Sequence, residues 1–113
     1  MENENNKKPR LLTMDEAIKL HKKEHKDIYS IDVEGHWLLL KKPNRQTYSE
    51  CISLVAPIGK QKPDLITAGL RIMQACFIDG DKDLFFKDDE FLVPAAMKAI
   101  ELLNSKEASL KKN

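Results

Sequence analysis

A histidine and glutamate pattern near the start of the chain has the spacing of a metal site. His21, Glu24 and His25 follow the order H-x-x-E-H. In inverted zinc peptidases this order places two zinc-binding histidines one helical turn apart, beside a glutamate that activates water. No third ligand follows in a suitable context, and the lysines around the pattern disfavour a dication: Lys19, Lys22, Lys23 and Lys26. We interpret the pattern as the solvated face of a helix and predict no metal there.

A second pattern has calcium-loop spacing. Asp79, Asp81, Asp83 and Glu90 occupy positions 1, 3, 5 and 12 of an EF-hand-like loop. Position 6, where such loops need glycine for a sharp turn, holds Leu84. We therefore favour a polar loop that ends one helix and starts another, and whether residues 79–90 bind a cation stays open at this point.

The residue types needed for catalysis do not form a recognisable group. Neither Cys51 nor Cys76 has a histidine near it in sequence, and His21, His25 and His36 all lie in the first third of the chain. There is no glycine-rich phosphate loop and no G-x-S-x-G elbow. We predict a protein without catalytic residues or a cofactor. The two cysteines lie in apolar surroundings and are predicted to be buried, reduced thiols.

Three cations surround the Pro43-Asn44 turn and form the chain's candidate phosphate site. Lys41, Lys42 and Arg45 stand close enough in sequence to contact a phosphate backbone. The chain as a whole carries a net charge of only +1, and no aromatic stacking series accompanies the turn. Binding of nucleic acid is therefore the alternative function rather than the leading one.

Length and composition favour one small domain. The chain has 113 residues, of which 42% are hydrophobic, enough for a modest core. Residues 1–10 are polar and are predicted to be a disordered N-terminal tail, and residues 11–113 a single α+β domain. The tail lacks the apolar region of a signal peptide, and no apolar run has the length of a membrane span. These features predict a protein of the cytoplasm.

The first half of that domain is predicted to contain one helix and a β-hairpin. Thr13 and Glu16 have capping-box spacing before a helix over residues 14–26. Residues 28–40 alternate as a hairpin with its turn at Glu34-Gly35. A two-stranded hairpin is marginal alone, so it needs a helix on its apolar face or a further strand.

The second half is predicted to be mostly helical, with about three helices. Thr47 and Glu50 are predicted to form a capping box at the start of a helix over residues 48–56. A central, mostly apolar helix follows over residues 64–78, starting at Pro63-Asp64. Residues 79–83 are predicted to be an acidic loop, and residues 84–86 a strand-like apolar insert over the core. Asp88 or Asp89 caps a last helix over residues 89–110.

The two long helices carry wider apolar arcs than one small core needs. This surplus predicts either self-association or a groove for an apolar segment. The alternative is that the hairpin and the first helix cover the whole surplus. The predicted client or self-contact residues are Leu70, Met73, Phe77, Phe91, Met97 and Ile100.

Four short segments resemble, in their order and spacing, the small tail assembly chaperones of long-tailed bacteriophages and prophages. They are residues 40–47, 74–81, 88–92 and 106–112. The resemblance spans about residues 28–112 and leaves the N-terminal helix unexplained. It implies a non-enzymatic protein that binds the helical tape measure protein in the bacterial host cytoplasm and helps tail tube subunits polymerise around it. The extra N-terminal helix would then be placed to shield the groove.

The alternative function is a small phage or mobile-element regulator that binds nucleic acid through Lys41, Lys42 and Arg45. Salt separates the two functions, because phosphate contacts weaken steeply as salt rises and apolar contacts do not.

Overall fold

The computed structural model describes residues 12–104, and the predicted N-terminal tail at residues 1–10 lies outside them. The chain is an α+β protein with an antiparallel sheet, which confirms the predicted fold class. Its elements are α1 (Met14–His21), β1 (Ile28–Val33), β2 (His36–Lys41), α2 (Arg45–Val55), α3 (Leu65–Cys76), β3 (Phe77–Gly80), α4 (Lys82–Lys87), α5 (Asp89–Ala99) and a 3-10 turn (Ile100–Asn104).

The sheet has the order β1-β2-β3, and the predicted hairpin forms its first two strands. Val33 pairs with His36 across a two-residue turn in which Glu34 and Gly35 both have positive φ, 51° and 86°. This is the backbone of a type I′ turn, whose twist matches that of the flanking strands. The second strand is completed on its other side by β3, so the hairpin gains the further strand that it needs.

The prediction of an acidic loop at residues 79–83 and a strand-like insert at 84–86 is wrong. Asp79 and Gly80 belong to β3, and residues 84–86 belong to α4. Gly80 explains the strand: it has φ 135°, and a Cβ there would lie 2.6 Å from the Leu38 Cα and from the Trp37 carbonyl oxygen. Only glycine allows so close an approach. The expected burial is found at Phe85, which is fully buried.

The two faces of the sheet are covered by different helices. Leu38 and Leu40 join the main core with residues of α3 and α5, whereas Leu39 is fully buried on the other face. Asp79 pairs with Leu39 and binds His21 of α1 on that same face. Helix α1 therefore lies on the opposite side of the sheet from α3 and α5. It does not shield the helical surface that it was predicted to cover.

Most predicted helix starts are found, and one is corrected. The Thr13–Glu16 capping box is present, and Asp64 and Asp88 cap α3 and α5. The predicted Thr47–Glu50 box is wrong, because Asn44 caps α2 by accepting the Thr47 N–H at 2.8 Å.

The side chains of the predicted box have other surroundings. Thr47 is 8% exposed and lies in the third helical position, and Glu50 instead accepts a hydrogen bond from Arg71 at 2.9 Å. Asparagine competes well as an N-cap, so α2 starts three residues earlier than predicted.

The first and last helices are shorter than predicted. Helix α1 ends at His21, where the His21 carbonyl accepts the N–H groups of both Glu24 and His25 in a turn. The charged residues that follow offer no apolar stripe to continue it. Helix α5 ends at Ala99 and tightens into the 3-10 turn; residues 105–110 of the predicted helix lie outside the described residues. None of the helices within residues 12–104 is long and apolar enough to cross a membrane.

Small residues let α3 and α5 cross closely. Gly69 of α3 sits against the Ala96 backbone, where a Cβ would lie 2.1 Å from the carbonyl oxygen. Ala68 of α3 and Ala95 and Ala99 of α5 are also fully buried. Close approach of the two backbones leaves little space between the helices, so this crossing fixes how α3 presents its other side chains.

Substitution of Asn44 tests the corrected start of α2. Asn44→Ala removes the oxygen that accepts the Thr47 N–H and is expected to lower the free energy of unfolding by about 1 kcal/mol. Glycine is itself a favourable N-cap residue, so Asn44→Gly should lower the free energy of unfolding by only about a few tenths of a kcal/mol. Urea denaturation measures both. A loss for Glu50→Ala that exceeds the loss for Asn44→Ala would contradict the assignment of Asn44 as the cap.

Candidate binding groove

A groove opens between α3, β3 and α4. It has a volume of about 340 Å³ and is lined by Leu70, Gln74, Phe77, Lys82 and Phe86. Helical spacing positions four of these residues: Leu70 and Gln74 are one turn apart on α3, and Lys82 and Phe86 are one turn apart on α4. Phe77 starts β3 directly after α3. We refer to these five residues as the α3–α4 groove.

The groove has an apolar floor and one cation. Leu70, Phe77 and Phe86 are half-buried, and the two phenylalanine rings meet edge-on with centroids 5.9 Å apart. The Lys82 Nζ lies 5.5 Å from the Phe77 ring centroid. In the described part of the chain Lys82 forms no ion pair. Its charge is therefore held at the groove by the ring and is accessible to a partner.

The structure brings together only two of the six predicted contact residues. Leu70 and Phe77 line the α3–α4 groove. Met73 is fully buried in the core, and Phe91 is half-buried against Phe85. Because its side chain is enclosed, Met73 has no surface to offer a partner in this conformation.

The other two predicted contacts lie at the C-terminal end of the helical half. Met97 is exposed on α5, and Ile100 packs against the core from the 3-10 turn. Sequence reasoning missed Lys82 and Phe86 because residues 79–86 were not recognised as strand and helix. The i, i+4 spacing of Lys82 and Phe86 was the sequence feature that could have indicated that both lie on one face of a helix.

Much of the predicted apolar surplus is covered. Every large apolar side chain of α3 is buried or half-buried, because α5 and α2 pack against that helix and β2, β3 and the 3-10 turn also contact it. The large apolar side chains exposed within residues 12–104 lie on α1, α2, the following loop and α5: Leu20, Tyr48, Ile52, Ile58, Val93 and Met97. Single exposed residues of this kind are normal. The α3–α4 groove therefore differs from them in gathering several apolar side chains in one concave place.

The three predicted phosphate contacts all point into solvent. Lys41 ends β2, Lys42 follows it, and Arg45 starts α2, and each is exposed. The first turn of α2 carries no acidic residue that would neutralise them. The structure thus keeps these three cations together at one accessible turn.

The side chains of the two metal-like patterns make other contacts. His21 Nε2 lies 3.0 Å from Asp79 Oδ2, and the other Asp79 oxygen accepts the Gly80 N–H. His36 Nδ1 lies 3.5 Å from Asp81 Oδ2. Across residues 12–104, no three His, Cys, Asp or Glu side chains come together in a group that could hold a metal ion.

Both cysteines are free, buried thiols. Burial raises the pKa of Cys76 to about 11, against a smaller opposite effect of the Lys41 charge. Burial also raises the pKa of Cys51, with Arg71 opposing it. The Cys51 Sγ lies 3.5 Å from the Ala68 carbonyl oxygen in the core. Both thiols are therefore protonated and enclosed at neutral pH.

We expect neither thiol to react with a disulfide reagent in the native protein at pH 8. The reactive species is the thiolate, and a pKa of about 11 leaves Cys76 almost wholly protonated at that pH. In the unfolded chain the thiols regain their ordinary pKa, so both should react once denaturant is added. The pKa of Cys76 is higher in the folded protein than in the unfolded chain, so the protonated thiol favours the folded state. This contribution of Cys76 to the free energy of unfolding is fully present below pH 9 and is lost as the pH rises towards 11. Rapid labelling of either thiol in native buffer would contradict this account.

Comparison with known proteins does not place the chain in a family. No protein-family model matches it, and neither curated proteins nor solved structures give a match.

Proposed function

We propose that this protein is a non-enzymatic tail assembly chaperone of a long-tailed phage or prophage. It binds an apolar face of the helical tape measure protein while the tail is assembled, and it also meets tail tube subunits at that stage. The observation that carries the proposal is the α3–α4 groove, which joins two predicted client contacts, Leu70 and Phe77, to Phe86. The order of the four tail-chaperone-like segments supports it independently.

The groove suits the apolar side chains of a helix better than a whole helix. Its volume of about 340 Å³ lies near the lower end of the 300–1,000 Å³ range of pockets that enclose small ligands. A helix in a groove is held by side chains at i, i+3 or i+4, and i+7. Leu70, Phe77 and Phe86 would contact such anchors. Lys82 would face an acidic residue beside them.

Charge placed on the groove floor tests this function. Leu70→Glu puts a carboxylate among the apolar anchors and should weaken co-purification with a co-expressed tape measure protein by about tenfold or more, since burying an unpaired charge is costly. The matched control is Ile58→Glu, which changes an apolar side chain that is 92% exposed and lies outside the groove lining.

Both variants must retain the circular dichroism spectrum of the unmodified protein. Equal binding of the tape measure protein by Leu70→Glu and Ile58→Glu would show that the α3–α4 groove is not the client site.

The exposed cations at Lys41, Lys42 and Arg45 favour nucleic-acid binding as the second candidate function. Binding to a duplex through these residues would weaken steeply with salt and would be lost when all three are changed to glutamate. Client binding through the α3–α4 groove would survive both changes. The two functions therefore give opposite results in one pair of salt titrations.

A further inference from the structure

We propose that the outer edge of β1 binds an extended, basic segment of a partner protein as an additional strand of the sheet. This surface is separate from the α3–α4 groove and does not depend on the function proposed above. The strand has six residues, from Ile28 to Val33, and pairs with β2 on one side only. An edge of this kind is a ready template for strand addition.

The hairpin register identifies the backbone groups that face outward. In a two-residue hairpin the pair that flanks the turn, here Val33 and His36, exchanges both of its backbone hydrogen bonds. Alternation then directs the N–H and C=O groups of Ile28, Ser30 and Asp32 away from β2. None of these groups has another backbone partner in the described chain. No proline or bulge interrupts the β1–β2 pairing, so nothing in the strand itself blocks a further strand.

A cavity runs beside this edge on the core side of the sheet. It has a volume of about 420 Å³ and lies between β1 and the end of the helical half. Tyr29, Ile31 and Leu40 line it from the sheet, and it is closed opposite by Lys98, Glu101 and Leu102. Lys98 and Glu101 are 3.3 Å apart and neutralise each other. Alternate side chains of an added strand would enter this cavity, and apolar ones fit it best.

The acidic residues beside β1 determine which side chains are favoured on the other face of the added strand. Asp27, Asp32 and Glu34 are all exposed, residues 27–34 contain no cation, and none of the three acids forms an ion pair with the described residues. Asp32 projects from the face opposite the cavity, because Ile31 projects into the core. A lysine or arginine directly across from Asp32 is therefore favoured.

The same charges disfavour a second copy of this chain at the edge. Two β1 strands side by side would bring two sets of these acids together, and like charges on neighbouring strands are destabilising. The partner that fits is a strand in which lysine or arginine alternates with β-branched apolar residues.

A pair of capped heptapeptides tests the proposal on the full chain: Thr-Val-Lys-Val-Lys-Val-Thr, and the same peptide with glutamate in place of lysine. We expect the lysine peptide to bind at least about tenfold more tightly, a difference of about 1.4 kcal/mol. On binding, exchange of the Ser30 and Asp32 amide protons should slow. Asp32→Lys should reverse the preference between the peptides. The matched control Asp83→Lys changes an exposed acid on α4 and should leave the preference unchanged, as should Leu70→Glu.

Several results would overturn the proposal. Failure of the lysine peptide to bind, or equal binding of both peptides, would show that the edge does not select a basic strand. Ser30 and Asp32 amides that are already protected in the free monomer would mean that another part of this chain occupies the edge. Protection that appears together with a doubled solution mass would assign the edge to a second copy instead.

Discussion

Replacement of Gly69 by alanine is expected to lower the free energy of unfolding by about 3 kcal/mol, the upper end of the usual cost of overpacking a core. The added Cβ would lie 2.1 Å from the Ala96 carbonyl oxygen and 2.5 Å from its carbonyl carbon. These are backbone atoms of α5, so a rotamer change cannot relieve the clash and the two helices must separate. Thermal unfolding should report the change as a fall in Tm of about 4–8 °C per kcal/mol.

Gly59→Ala is the matched control for this prediction. It makes the same chemical change at a glycine with φ 84° and nothing within 4 Å of the added Cβ. Only backbone strain is introduced there, with an expected cost of about 1–2 kcal/mol. If Gly69→Ala is as stable as the unmodified protein, α3 and α5 do not cross at this point.

Replacement of Phe85 by alanine is expected to cost about 3–5 kcal/mol, the range for removing a fully buried aromatic side chain. Phe85 is 0% exposed, and its ring meets Phe91 of α5 edge-on with centroids 6.1 Å apart. Helix α4 has only six residues and cannot be stable on its own. Loss of Phe85 should therefore release α4 and open the α3–α4 groove. Urea denaturation measures the cost.

Phe86→Ala separates the stability of α4 from its binding role. Phe86 is half-buried and lines the groove, so its removal should cost about 1 kcal/mol of stability, a fraction of full burial, yet clearly weaken client binding. A Phe85→Ala protein as stable as Phe86→Ala would show that α4 is not held by Phe85.

The sequence is sufficient to predict those features of the structure that depend on residues close together in the chain. The Thr13–Glu16 box and the Glu34-Gly35 turn are short-range features, and both are found where they were predicted. The start of α2 was misplaced because two capping signals, Asn44 and Thr47, lie three residues apart. Asparagine is the stronger N-cap of the two, and Thr47 is buried within the helix that Asn44 starts.

Long-range contacts determine what the sequence did not reveal. Strand β3 can pair with β2 because Gly80 allows the close approach to Leu38. No pattern within residues 77–80 predicts that pairing. The sequence does not show how completely α5 and α2 cover α3, so the apolar residues of α3 appear to need an outside partner. In the structure both helices pack against α3, Met73 is a core residue, and the candidate site is reduced to Leu70 and Phe77, joined by Phe86.

The fold presents its three candidate surfaces on different elements. The α3–α4 groove offers apolar anchors, the turn at residues 41–45 offers cations, and the β1 edge offers backbone groups beside acids. Binding at the α3–α4 groove should persist at high salt because its contacts are apolar, whereas binding at the other two surfaces should weaken because contacts between exposed charges are screened. Variants of one surface can therefore serve as controls for another.

The most direct test of the proposed function is the solution mass by light scattering, measured with and without a tape measure protein co-expressed from a neighbouring gene. We predict a complex that forms with this client, persists at high salt and is lost in Leu70→Glu. A protein whose mass does not change with the client at any salt concentration would contradict the chaperone function.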